Sequence, residues 1–161
     1  MELTGTAKVH KSSEIEEGVI YGKNVVVWRW SHIRTGTTIG DNVMIGNHVD
    51  IGKNVIIGNN CRIQNGAQIP EGVMLGDNVF IGANVSFNNV RKPKASMLSS
   101  SYLPTIIKTG ATICANAVLE CGITVGEKTT VKTGCVVHKD IPDKVTVVGN
   151  PARITKHQIK L

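Results

Sequence analysis

A large aliphatic or aromatic residue recurs every sixth position along most of the chain. The first run is Val9, Ile15, Tyr21, Val27, Ile33, Ile39, Ile45, Ile51, Ile57, Ile63, Ile69, Leu75, Ile81 and Phe87; after a break it resumes as Ile107, Ile113, Leu119, Val125, Val131 and Val137. Four positions after most of these stands a small or β-branched residue, as in Val19, Val25, Ser31, Thr37, Val43, Cys61, Ala67, Ala111, Ala117 and Cys135. With the large residue as position one, positions five and one point inward and position six points outward between them, which is the alternation of a strand. Positions two to four must then turn a corner. Position four is usually Gly or Asn, as in Gly18, Asn24, Gly36 and Asn42, the residues that adopt positive φ at least cost. One short strand and one corner per hexad winds a solenoid with three flat faces and 18 residues per coil. Its coils pair in parallel about 4.8 Å apart. No helical stripe has this period. The pattern predicts one all-β domain over 1–161, with coils over about 9–87 and 107–142, an external loop over 88–106 and a C-terminal tail over 143–161. A loop this long in a compact solenoid is usually functional, although inserted loops are also tolerated.

Every third hexad shares a face. The outward residues of one face are Glu14, His32, Asp50, Gln68 and Ser86; the second carries Ile20, Thr38, Ile56 and Met74, and the third Val26, Met44, Arg62 and Phe80. The first is polar and the others largely apolar, which predicts subunit contact through the apolar faces. His32 and Asp50 stand on neighbouring coils, near enough for their side chains to hydrogen-bond. A carboxylate beside an imidazole suits general-base catalysis; the same pair also occurs as a solvated structural contact. The adjoining corner column runs Ser12, Trp30, His48, Gly66, Asn84, so Trp30 and His48 break the Gly/Asn rule. Trp30 either lines a site or packs on a neighbouring subunit; His48 either contacts substrate or only accommodates the turn. Departures from a local rule concentrate at functional sites, so this corner is the candidate active site.

Composition narrows the classes. The chain has 161 residues, 41% hydrophobic, 19% charged and 4% aromatic, with 17 glycines, an ordinary globular balance. No apolar run approaches the ~20 residues of a membrane helix, and Met1–Gly5 has no signal-peptide core, so a cytoplasmic protein without membrane insertion is expected. The four cysteines form no C-x-x-C pair, which fits a reducing compartment. Cys61 and Cys135 point into the coil as small core residues, while Cys114 and Cys121 lie in corners. His10, His32, His48, His138 and His157 lack close ligand spacing, so no metal is expected. The net charge of +6 is spread thinly, with denser patches at Arg91, Lys92, Lys94 and at Arg153, Lys156, Lys160. That suits a phosphate-bearing small molecule better than nucleic acid, which is not expected as a partner.

The hexads resemble the left-handed parallel β-helix of hexapeptide-repeat proteins, and the left hand is taken from that resemblance; the general crossover rule favours the opposite hand. Longer segments are similar to the nucleotide-sugar N-acetyltransferases of the 3-amino-sugar group. Trp28-Arg29-Trp30-Ser31-His32-Ile33 resembles W-x-x-x-H-I, and Arg62-Ile63-Gln64-Asn65 resembles K-I-Q-N. Val79-Phe80-Ile81-Gly82, Phe87-Asn88-Asn89-Val90 and Pro93-Lys94 follow V-F-x-G…F-T-N-V…P-R. Thr105–Asn116 resembles T-L-V-x-x-G-A-T-I-G-A-N, and Gly149-Asn150-Pro151-Ala152-Arg153 matches G-N-P-A-R.

The resemblance implies acetyl transfer from acetyl-CoA, as co-substrate, to the amine of a UDP- or dTDP-linked amino sugar, a precursor of surface polysaccharide or glycan. It implies His32 as base, although some relatives need none, and a corner N–H for the oxyanion. Asp50 partners His32 in this reading. Trp30, His48, Gln64, Asn65, Asn84 and Asn89 are then substrate-binding candidates. CoA would lie between subunits of a homotrimer, with Gly110, Ala111 and Ala115 allowing close approach and Lys108, Arg153 or Lys156 meeting its phosphates. The family's G-Q-N-V reads Gly46-Asn47-His48-Val49 here, Asp50 replaces an aromatic, and Ala83-Asn84 replaces P-S. The alternatives are a zinc-dependent, carbonic-anhydrase-like β-helix, whose paired His-x-x-x-x-His pattern is missing, and an O-acetyltransferase of the same fold.

Overall fold

The computed structural model describes residues 7–96 and 102–157. Met1–Gly5, Lys160 and the middle of the external loop, all used above, lie outside the described residues or partly so. The described chain is strand and turn, without helix. It forms a left-handed parallel β-helix of three sheets. The first sheet stacks Ala7–Val9, Val25–Val27, Met44–Ile45, Arg62–Ile63, Phe80–Ile81, Thr112–Ile113, Thr130–Val131, Val145–Val148 and Arg153–His157. The second stacks Glu14–Ile15, His32–Ile33, Asp50–Ile51, Gln68–Ile69, Ser86–Phe87, Val118–Leu119 and Val136–Val137. The third stacks Ile20–Tyr21, Thr38–Ile39, Ile56–Ile57, Val73–Leu75, Thr105–Ile107 and Thr124–Val125.

The inward residues make one continuous core. Ile33, Ile45, Ile51, Ile81, Ile107 and Ile113 are fully buried, with Val49, Val55, Cys61, Ala67 and Ala117 filling the spaces between them. Large and small residues thus alternate around each coil, as close packing of three facing sheets requires. Ser31 and Thr37 are the polar members of this layer in the second coil. Each hydroxyl donates to a carbonyl of the next coil, Ser31 to Gly46 at 2.7 Å and Thr37 to Gly52 at 2.8 Å, so their burial is compensated.

Coil spacing also explains a glycine pattern distinct from the φ argument. At Gly58 a Cβ would lie 2.6 Å from the backbone carbon of Gly76 and 2.7 Å from the nitrogen of Asp77. The coils touch there through bare backbone, and a methyl group has no room. At position four the left-handed conformation is general: Trp30, His48, Lys128 and Lys144 adopt φ of 54–58° beside the asparagines.

Two regions depart from the repeat. Met74 pairs with Ile106 rather than with a residue 18 further on, so the external loop leaves the corner after Phe87 and returns without disturbing the stack. The C-terminal segment is more than a tail. Val145–Val148 continues the first sheet in parallel, and Arg153–His157 folds back antiparallel against it; this closes the exposed edge that a solenoid otherwise presents. The outer faces differ as well. Ile20, Ile56, Met74 and Ile106 are 38–44% exposed along the third sheet. The first sheet's outer residues Val26, Met44 and Phe80 are half-buried and give way to Thr112 and Thr130. The apolar exposure is therefore concentrated on one face rather than two. No described helix is long and apolar enough to cross a membrane.

Candidate active site

The corner from the first sheet to the second carries the aromatic column. The rings of Trp30 and His48 stack with centroids 5.0 Å apart and planes 20° from parallel, because the register places equivalent corner residues one above the other. Trp30 is 57% exposed. A cleft of about 430 Å³ beside the stack is lined by His10, Trp28, Arg29, Trp30, Asn47, His48 and Asn65. A smaller one of about 270 Å³ shares Trp28, Asn47 and Asn65 and adds Met44 and Gln64. A carboxamide ladder fixes the wall: Arg29 N–H donates to Asn47 Oδ1 at 3.0 Å, and Asn47 N–H to Asn65 Oδ1 at 2.9 Å. The structure thus gathers Trp30, His48, Gln64 and Asn65 on one edge, with Asn84 further along the same column.

On the adjoining face His32 and Asp50 are register partners, yet the expected hydrogen bond between them is absent. His32 Nδ1 lies 4.0 Å from Asp50 Oδ1, and Asp50 Oδ1 instead accepts from Arg34 Nη1 at 2.8 Å. An arginine charge one corner away outcompetes the imidazole for this carboxylate. The carboxylate that holds His32 is Glu16, 2.9 Å from Nε2. An ionised carboxylate only accepts, so Nε2 carries a hydrogen, and in the neutral ring Nδ1 is then the nitrogen with the lone pair. Glu16 is fixed in turn: Thr35 N–H donates to Oε2 at 2.9 Å. That backbone donor is the largest influence; desolvation opposes it, and His32 and Arg34 add to it, so the Glu16 carboxyl is held below the ordinary glutamate value. Glu16 and Arg34 were missed by following only residues in strict register. The available signal was their place just past the strands of the first and second coils on the same side.

The remaining candidates lie elsewhere. Asn89 lines a separate cavity of about 270 Å³ under the external loop, with Phe87, Arg91, Glu120 and Cys121. There Glu120 Oε1 is 2.8 Å from His138 Nδ1. Lys108 and Gly110 stand at the corner from the third sheet to the first, where Lys108 Nζ is 3.5 Å from Asp143. Ala111 does not line a groove: its side chain is fully buried in the core, because it occupies an inward position five. Ala115 sits on the same edge as the aromatic column. Arg153 is exposed on the returning C-terminal strand, and Lys156 is placed there by its backbone. Each of the three corners therefore carries part of the expected site, and one chain does not unite them. Burial pushes the Cys61 and Cys135 thiols up, away from the thiolate form, in keeping with core packing. Among the described residues no three His, Cys, Asp or Glu side chains are grouped as metal ligands.

The family model described as bacterial transferase hexapeptide (six repeats) matches residues 22–53 and 54–89. The hexapeptide repeat of succinyl-transferase matches residues 104–139. The chain is 54% identical over 149 residues to the dTDP-3-amino-3,6-dideoxy-alpha-D-galactopyranose 3-N-acetyltransferase of Aneurinibacillus thermoaerophilus, a match covering 92% of this chain and 77% of that protein. The chain belongs to the bacterial hexapeptide transferase family. Solved structures of such transferases share its fold. The polySia-specific acetyltransferase NeuO superposes with a TM-score of 0.76 at 22% identity, over 98% of this chain and 82% of that one. A galactoside acetyltransferase in complex with coenzyme A gives 0.68 at 27% identity, over 77% and 66%. In this hexapeptide transferase the family matches stop at the external loop and resume after it, so the loop is an insertion between repeats.

Proposed function

We propose that this acetyltransferase moves the acetyl group of acetyl-CoA onto the 3-amino group of a dTDP-linked 3-amino-3,6-dideoxyhexose. The observation that carries this reading is the 54% identity over 92% of the chain to the dTDP-3-amino-3,6-dideoxy-alpha-D-galactopyranose 3-N-acetyltransferase. The galactoside acetyltransferase with bound coenzyme A supports acetyl-CoA as donor.

In this account the neutral amine attacks the thioester carbonyl, the C–S bond breaks, and an amide and CoA result. His32 Nδ1 takes the amine proton and returns it to the departing thiolate. Glu16 orients the ring through Nε2 and balances the imidazolium, with Asp50 at 4.0 Å adding to that balance. Trp30, His48, Gln64, Asn65, Asn84 and Asn89 bind the nucleotide sugar. Lys108, Gly110, Ala115, Arg153 and Lys156 serve CoA, where a phosphate must compete with Asp143 for Lys108. Because these groups sit on different corners, the working unit is a homotrimer in which edges of neighbouring subunits meet. The exposed stripe Ile20, Ile56, Met74 and Ile106 is its contact face. Its compartment is the cytoplasm, consistent with four free thiols.

The test is CoA thiol release with a panel of dTDP- and UDP-linked amino sugars. Turnover with dTDP-3-amino-3,6-dideoxygalactose and none with the corresponding 3-hydroxy sugar is the expected result. Turnover only with hydroxyl acceptors would replace this reading with O-acetylation.

A further inference from the structure

We propose that the Trp30–His48 corner is the platform for the pyrimidine base of the nucleotide sugar, with Arg29 meeting the diphosphate; this rests on the nucleotide-sugar reading above. The corner departs from the rest of the fold in a specific way. Elsewhere in this column the residues are Ser12, Gly66 and Asn84, small or suited to the turn. Here two rings take up, in successive coils, a φ of 54°, the left-handed conformation that the corners impose on most residues at this position; the backbone is ordinary for the fold, and the choice of bulky rings where Gly or Asn fits at less cost is what sets the corner apart. Their side chains do not enter the core. They stack on each other at 5.0 Å and leave Trp30 57% exposed beside a cleft of about 430 Å³.

The cleft is not a plain apolar patch. It pairs an aromatic surface with the Asn65 carboxamide and the guanidinium of Arg29. Aromatic side chains bind bases by stacking, since every base has a π-face. A pyrimidine imide presents carbonyl, N–H and carbonyl along one edge, which a carboxamide complements with one donor and one acceptor. Asn65 Oδ1 accepts from Asn47 N–H at 2.9 Å and from Asn47 Nδ2 at 3.4 Å; the short backbone bond holds the amide in place, and the long side-chain contact is the one that an imide N–H would displace. Arg29 Nε reaches His10 Nε2 at 3.3 Å, so the cation is held at the cleft wall and is suited to bidentate contact with phosphate oxygens. A base, an imide edge and a diphosphate thus each find a partner of matching chemistry. An adenine lacks the imide edge, so the corner favours the acceptor's nucleotide over the adenosine end of CoA.

The chain's two tryptophans, Trp28 and Trp30, both line this cleft, so intrinsic tryptophan fluorescence reads it directly. The experiment titrates the full chain with dTDP, which lacks the sugar, and separately with ADP. Calorimetry runs in parallel, on wild type and on Trp30→Asn and His48→Asn. Asparagine is the residue this fold uses at such corners, so both variants keep the turn, and circular dichroism verifies it. The expected result is fluorescence quenching by dTDP and not by ADP, with binding weakened roughly tenfold or more in Trp30→Asn. Wild-type dTDP affinity in both variants would overturn the platform while leaving the nucleotide-sugar reading intact. ADP binding here in preference to dTDP would overturn it likewise. Absence of any dTDP binding to wild type, together with no acetylation of dTDP-amino sugars, would remove both. Tryptophan emission that follows protein concentration, with Trp30→Asn altering the mass in solution, would assign the rings to subunit contact and overturn the proposal.

Discussion

Glu16 and Asp50 flank the same imidazole but do different work. Glu16 is hydrogen-bonded to Nε2, whereas Asp50 is held by Arg34. His32→Asn is therefore expected to lower kcat by roughly two to four orders of magnitude, with acetyl-CoA KM near wild type. Glu16→Gln is expected to cause a smaller loss than His32→Asn, and Asp50→Asn a smaller loss again; steady-state kinetics on the three variants gives the order. Unchanged turnover in His32→Asn would remove it as base. The Glu16 carboxyl is held below its ordinary value of 4.5, so the sign of its stability effect follows. The folded state favours the ionised form, a contribution complete above the unfolded value and lost as pH falls through the lowered folded one. Thermal melts of wild type and Glu16→Gln should thus differ at pH 6 and converge in strong acid. A gap that widens on acidification would contradict the assignment. The sequence showed the His32–Asp50 column because coil register is a spacing of 18. It hid Glu16 because a long side chain also reaches the diagonal neighbour on the next strand, and no periodicity marks which neighbour wins.

At the scale of the element, the hexad made nearly all of the architecture legible. Position-one residues such as Ile51 and Ile81 are fully buried, and the three outward columns match the three sheets. What escaped were features set by packing rather than by period. Ala111 is small and close to glycine, which suggested a groove, but its position five faces the core. The segment after 142 lost the hexad rhythm, yet Val145–Val148 still adds to the first sheet, since an open solenoid edge gains by pairing. The coil backbone makes its own demand. Ile51→Ala is expected to cost about 2–5 kcal/mol in urea unfolding. Gly58→Ala is expected to cost about 1–3 kcal/mol or more through backbone collision. A neutral Gly58→Ala would mean that the coils can separate locally.

At the scale of the molecule, the candidate groups are split among three corners, and the third sheet exposes Ile20, Ile56, Met74 and Ile106. Replacing Met74 and Ile106 together with Glu is expected to shift the mass from trimer to monomer by light scattering and to abolish acetyl transfer, while circular dichroism stays that of the coil. Full activity in a monomer would show that one chain holds a whole site. The reaction itself is tested most directly by mass spectrometry and NMR of dTDP-3-amino-3,6-dideoxygalactose incubated with acetyl-CoA and the full chain. The account predicts a single new acetamide at C3 and an equivalent of free CoA. An acetyl ester on a ring hydroxyl, or recovered amine beside intact acetyl-CoA, would contradict it.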